Sequence, residues 1–201
     1  MKLVGLTGGF ASGKSTVREM LRRLGADVLD ADGIYHLLIA AKDGQPSSLG
    51  REIEARFPGV LERDGSVNRK ELGRRVFGDA EERKALESIA HPRVGEWVAH
   101  RVSELEAQGS RLVIYDVPLL FEAHLKMSLL GVIVVWVPRE VQIARLMHRD
   151  SQTADLARER LAAQLPLDEK RKRATWVIDN SGSLAETRTQ VEKLWRLLHD
   201  R

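Results

Sequence analysis

The chain has no cysteine. Disulfides, thiolate metal ligands and a thiol nucleophile are therefore excluded, which agrees with a reducing compartment. It also has no apolar run of membrane length: the longest, Leu129 to Pro138, is too short to span a bilayer. Met1-Lys2 passes directly into a strand pattern, leaving no stretch for a signal peptide. Aromatic residues make up only 5% of the sequence and are not interleaved with a basic tract, so nucleic acid is not an expected partner. These absences predict a soluble, cytoplasmic protein with no membrane partner.

What is present bounds the rest. With 201 residues and 43% hydrophobic content, one α/β domain with insertions is the natural size. Net charge is only +3, but the basic residues are 23 Arg and 9 Lys. Arginine grips phosphate with a planar fork, which suits a phosphorylated ligand; the same skew suits ordinary solvated helix faces. Oligomeric state stays open between a monomer and a small homo-oligomer.

The informative stretch is Gly8-Gly9-Phe10-Ala11-Ser12-Gly13-Lys14-Ser15, followed by Thr16. Leu3-Val4-Gly5-Leu6 before it reads as a buried strand, and Val17, Met20, Leu21 and Leu24 after it fall at helical spacing. A strand–loop–helix with Gly, four residues and Gly-Lys-Ser is the phosphate-loop pattern. Gly8, Gly9 and Gly13 let the backbone curl around a phosphate, with Ala11, Ser12 and Thr16 completing the cradle. The helix N-terminus adds positive potential, Lys14 reaches the β- and γ-phosphates, and the Ser15 hydroxyl is placed for Mg²⁺. A nucleoside triphosphate is the expected ligand.

Along the chain, Ala26–Asp30 reads as a second strand and a helix of Ile34, Leu37 and Leu38 follows. Residues 42–50 are turn-rich, and from Leu49 to about Gln108 the pattern is helical, with His91-Pro92 marking a place where a helix restarts. Further strands are expected at Leu112–Asp116, Gly131–Val137 and Trp176–Asn180, with helices from Arg139 to His148 and from Leu184 to His199. The fold class is α/β: a P-loop kinase-like core with a five-stranded parallel sheet flanked by helices, carrying a helical insertion.

The missing Asn-Lys-x-Asp segment argues against a GTPase, and Val117 after Asp116 lacks the glutamate of a motor ATPase. A small-molecule kinase needs an acid to orient the acceptor, arginines for the transferring group and a cover against water. Asp32, just past the second strand, is the candidate acid; Asp30 competes with it, and Asp32 could instead cap the next helix. Arg145 and Arg149 share one helix face and could neutralise phosphoryl charge, or be solvated. Asp116 either holds Mg²⁺ through water or opens the turn before Pro118. Lys170-Arg171-Lys172-Arg173 reads as a solvated face. A kinase for another small acceptor, such as a nucleotide or shikimate, and a nucleotide-binding module without turnover remain rival readings.

With these residues placed, the chain resembles the dephospho-CoA kinase family nearly end to end. The likeness rests on the phosphate loop, Val28-Leu29-Asp30-Ala31-Asp32, Asp64-Gly65 with Arg69 and Leu72, Leu86-Glu87, and His91-Pro92. It also rests on Val117-Pro118-Leu119-Leu120-Phe121-Glu122, Arg145-Leu146, Arg149-Asp150, Arg160 with Ala163-Gln164, Glu169-Lys170-Arg171, and Ile178-Asp179-Asn180. The resemblance implies ATP- and Mg²⁺-dependent phosphorylation of the ribose 3′-hydroxyl of dephospho-CoA, with Asp32 as base and Arg145 and Arg149 in a lid. It also implies a single 1–201 kinase domain in three parts. These are a core of about 1–48, 109–138 and 174–201, a CoA-binding insertion of about 49–108, and a lid of about 139–173. Phe10 departs from the aliphatic residue common inside the loop, and Phe57-Pro58 stands where Phe-Gly is usual.

Overall fold

The structure is a computed structural model that describes residues 1–122 and 128–199. Residues 123–127, inside the expected core stretch, and the last two residues lie outside the described residues. The elements run β1 (Lys2–Gly8), α1 (Lys14–Arg23), β2 (Asp27–Asp30), α2 (Ala31–Ile39), α3 (Ser48–Arg56), α4 (Arg69–Val76) and α5 (Ala80–Ala107). They continue with β3 (Leu112–Asp116), β4 (Gly131–Trp136), α6 (Arg139–Asp150), α7 (Ala154–Ala162), α8 (Leu167–Lys172), β5 (Trp176–Asp179) and α9 (Leu184–His199). The chain divides into two compact units, Met1–Leu29 with Leu105–Arg201, and Asp30–Glu104. Among the described residues no helix is long and apolar enough to cross a membrane.

The first unit is built on a five-stranded parallel sheet of order β2-β3-β1-β4-β5. β1 pairs with β3 on one edge and β4 on the other, and both its faces are buried, Val4 and Leu6 on one and Gly5 and Thr7 on the other. Alternation sends Val4, Leu6, Ile114, Ile133, Val135 and Ile178 to one face. There they meet Val17 and Leu21 of α1 and Val191, Leu194 and Leu198 of α9. The opposite face includes Val134, packed with Val137 and Leu167. A Cβ on Gly5 would come within 2.7 Å of Leu120 Cδ1, so the Leu120 side chain lies close over the sheet at a glycine. The strand order reverses at β1, which puts the ligand crevice at its carboxyl end, where residues 8–15 lie. Helices α6–α8 belong to this same compact unit.

The second unit has its own core of Ile39, Leu49, Ile53, Phe57, Val60, Val67 and Leu72. Ile39 packs there, so α2 belongs to this unit, which spans Asp30–Glu104. Ser47 and Asn68 cap α3 and α4 by accepting from Gly50 and Glu71 N–H. The sequence suggested a helix restart at His91-Pro92, but α5 runs unbroken through Pro92. Proline removes one N–H and crowds the carbonyl four residues back. Pro92 and Ser88 both lie on the exposed face, where water can take that carbonyl, while Ala90, Val94 and Val98 keep the opposite face buried.

The Phe57-Pro58-Gly59 turn is tied by one carboxylate. Glu54 accepts from the N–H groups of Gly59 (2.6 Å), Val60 (2.9 Å) and Leu61 (3.0 Å). These bonds, led by Gly59, hold its carboxyl below the ordinary value of 4.5. A depressed folded-state value stabilises the fold above the unfolded value and loses that contribution as pH falls through the folded one. The melting temperature of Glu54→Gln should therefore lie below that of the parent at pH 7, and the gap should close on acidification below about 4.5. Thermal unfolding followed across that range checks it.

Candidate active site

The phosphate loop is shaped from outside. The Phe10 carbonyl accepts from Gln142 Nε2 (2.7 Å), that of Ala11 from Arg145 Nη1 (3.4 Å), and that of Ser12 from Asn180 Nδ2 (2.8 Å). A trans peptide is planar, so its N–H points opposite to its carbonyl. Tying these three carbonyls to the surrounding scaffold thus turns the N–H groups of the next residues the other way. The Ser12 N–H closes a turn on the Gly9 carbonyl (3.2 Å), while those of Ala11 and Gly13 point away from Gln142 and Asn180.

Glycines are required where this scaffold comes closest. A Cβ on Gly13, at φ +85°, would overlap the Asn180 amide, and one on Gly9 would lie 2.8 Å from Gln142 Nε2. Ala11 itself sits at φ +55°, a left-handed conformation held by its neighbours. Gly13 caps α1 with no side-chain cap bond, and the first turn of the helix carries no acid. The helix N-terminus therefore keeps its positive potential for a ligand. Gly8 ends β1, Ser15 is exposed in the first turn of α1, and the Thr16 N–H bonds the Gly13 carbonyl at 3.0 Å.

Lys14 does not stand alone. Its ammonium pairs with Asp116 Oδ1, and Arg18, one turn further along α1, bonds Asp116 Oδ2 at 3.0 Å. Asp116 is fully buried, and two cations on its two oxygens offset the large cost of burying that charge. The sequence offered Asp116 as a metal-side acid or a turn opener; its position at the end of β3 also makes it the anchor of Lys14.

Arg145 lies against the loop, its second nitrogen bonding the Asn180 carbonyl at 2.9 Å. Arg149, on the same helix, is instead held by its neighbour: Asp150 takes its guanidinium at 2.7 and 2.9 Å, and Asp150 also pairs with Arg160. The hydrogen bond from Arg149 leads the causes that lower the Asp150 carboxyl to about 2. Asp32 is exposed in the first turn of α2. Asp30 is the cap of that helix, accepting from the Asp32 N–H at 3.2 Å, so the capping role considered for Asp32 belongs to Asp30.

Two residues have roles that the sequence reading missed. Lys170, read as part of a solvated face, is fully buried. It pairs with Glu122 (2.8 Å) and donates to the Pro118 carbonyl (3.0 Å) and, more distantly, to the Gly8 carbonyl (3.5 Å). The signal was its spacing: Lys170 lies three residues after Leu167, on the buried face of α8. Asn180 is the second. Its N–H, side-chain amide, side-chain carbonyl and backbone carbonyl bond Trp136, Ser12, Thr187 and Arg145 respectively.

Comparison with known proteins follows the same lines. The family model for dephospho-CoA kinase matches residues 2–186. A dephospho-CoA kinase of Symbiobacterium thermophilum is 47% identical over 196 residues, 98% of this chain and 81% of that one. Among solved structures, TT1252 from Thermus thermophilus has a TM-score of 0.82 at 36% identity, covering 99% of this chain and 97% of its own. Dephospho-CoA kinase from Campylobacter jejuni has a TM-score of 0.64 at 27% identity, covering 98% and 97%.

Replacing Asn180 with alanine should loosen the loop. It strands the Ser12 carbonyl, at a cost of about 1–3 kcal/mol for a buried unpaired group, and leaves the Thr187 hydroxyl with the Ser183 carbonyl alone. We expect a lower melting temperature and a raised dissociation constant for MgATP by titration calorimetry. Unchanged nucleotide affinity in a destabilised protein would mean that Asn180 serves the fold alone.

Proposed function

Because the chain belongs to the dephospho-CoA kinase family and is an ATP-dependent phosphotransferase of coenzyme A biosynthesis, we propose that Lys14, Asp32 and the α6 arginines divide the work of moving the γ-phosphoryl group to the ribose 3′-hydroxyl of dephospho-CoA. The observation that carries this division is the loop itself, whose carbonyls are tied outward beside an uncapped helix N-terminus and a lysine. Such a cradle binds phosphates and leaves the chemistry to positioning and charge stabilisation.

The Ala11 and Gly13 amides and Lys14 hold the ATP phosphates, Lys14 exchanging part of its bond with Asp116 for phosphate oxygens. Asp32 orients the 3′-hydroxyl and takes its proton as the oxygen bonds the γ-phosphorus and the bond to the β-phosphate oxygen breaks, leaving ADP. Its exposure, and the capping of α2 by Asp30, support that role. Arg145 stays with the loop, while Arg149 leaves Asp150 to meet charge on the transferring group.

Mg²⁺ fits these residues. Among the described residues no three of His, Cys, Asp and Glu converge on a metal site. Ser15 and, through water, Asp116 make the sparse protein donor set typical of a cation that keeps waters and phosphate oxygens. When bound, it supplies charge neutralisation across the β- and γ-phosphates. We assign the 49–108 helices to the CoA portion of the substrate and 139–173 to a cover that excludes water.

The test is ADP production from MgATP with no acceptor, with dephospho-CoA, and with AMP, CMP or shikimate. ADP should form in step with CoA and only with dephospho-CoA. Lys14→Ala and Asp32→Ala should each lower kcat by roughly 10²–10⁴-fold; the melting temperature should stay near that of the parent in Asp32→Ala and fall in Lys14→Ala, which leaves buried Asp116 with Arg18 as its remaining cation. Near-normal kcat in Asp32→Ala would remove its role as base.

A further inference from the structure

Phe10 is held more firmly than any role as a variable loop side chain requires. Its N–H donates to Gln164 Oε1 (3.3 Å) and its carbonyl accepts from Gln142 (2.7 Å), so both sides of its backbone are gripped. Its ring packs with Ile143 against the buried Leu146, Ala157 and Leu161. The Arg160 guanidinium lies 5.1 Å from the centre of that ring. Arg160 pairs with Asp150 and reaches Gln152 Oε1 at 3.4 Å, and Asp150 holds Arg149 through both oxygens. An unbroken series of contacts thus runs from the phosphate loop to Arg149.

We infer that Phe10 is a positioning residue for phosphoryl transfer: seating Arg160 on its ring fixes Asp150, and Asp150 fixes where Arg149 waits. The inference rests on the reading of Arg149 as the arginine that meets the transferring group. Magnitudes favour a waiting position over a permanent lock. Arg149, Asp150 and Arg160 all keep part of their side chains in water, and exposed ion pairs are weak because water screens them. A triphosphate presents more anionic oxygens in a geometry that arginine forks fit equally well, so it can take Arg149 from Asp150. The ring under Arg160 adds a cation–π contact at an exposed site, an effect of about 2–5-fold. An aliphatic side chain would fill the same apolar contacts without offering that face. The effect belongs to arginine placement in the transition state, so it reads in kcat more than in the KM for ATP.

The experiment measures kcat, KM for ATP and melting temperature for Phe10→Leu, Arg160→Gln and the double variant, with Arg149→Ala alongside. Phe10→Leu and Arg160→Gln should each lower kcat about 2–5-fold with little change in KM, as expected for one exposed cation–π contact. In the Arg160→Gln background, Phe10→Leu should have no further effect, because the two act through one contact. Unchanged kcat in Phe10→Leu, or losses that multiply in the double variant, overturns the inference. Should Phe10→Leu fail to fold, Arg160→Gln decides alone: a 2–5-fold loss supports the inference and parental kcat overturns it. If Arg149→Ala lowers kcat while Phe10→Leu does not, only the inference falls. If Arg149→Ala is without effect, the reading of Arg149 falls and takes the inference with it.

Discussion

The carbonyl oxygens of Phe10, Ala11 and Ser12 are held by Gln142, Arg145 and Asn180, and planarity of the peptide converts that pull into the direction of the intervening N–H groups. An isolated glycine-rich loop could turn its amides anywhere. Here α6 supplies two of the three donors and the end of β5 the third, so the loop keeps its shape only while those elements stay packed on the sheet. The burial of Gln142 and Asn180 follows from the same demand. Each satisfies a loop carbonyl that would otherwise be a costly unpaired group. Gly9 and Gly13 are the counterpart on the loop side, since any Cβ there would meet the side chains that hold the backbone.

Charge around the loop falls into two kinds. Asp116 and Lys170 are fully buried and each is met by opposite charge, Lys14 with Arg18 in one case and Glu122 in the other. Breaking such a pair leaves an uncompensated charge in a poor solvent, a loss of about 3–5 kcal/mol, so these groups fix the geometry of β1, β3 and α8. The Arg149–Asp150–Arg160 group is of the other kind, part-exposed and weak enough to rearrange. A kinase needs both: a cradle that does not move and cations that do. The difference is made by burial, since both kinds pair carboxylates with basic side chains.

The sequence was sufficient for the strands, the phosphate loop and the family. Apolar runs such as Val132–Trp136 and the 3.6-residue spacing of Val17, Leu21 and Leu24 are local patterns, and Gly13-Lys14-Ser15 between them ties chemistry to a fixed place in a strand–loop–helix. It was not sufficient for Lys170, which reads as one more charge in a basic run until α8 turns it onto Glu122. Nor did it show that Pro92 lies on the wet face of α5, where a lost hydrogen bond is cheap, or that Asp30 takes the cap and leaves Asp32 in the first turn.

What the chain determines by itself is therefore whatever depends on neighbours in sequence: periodicity, turn chemistry, and the glycines and lysine of the loop. What only the tertiary structure decided is which polar groups meet across long separations. The bonds from Asn180 to Ser12, Lys14 to Asp116 and Arg160 to Phe10 join residues remote in the chain. Their strength is set by how much water the surrounding packing removes, a property of the assembled core that no local pattern encodes.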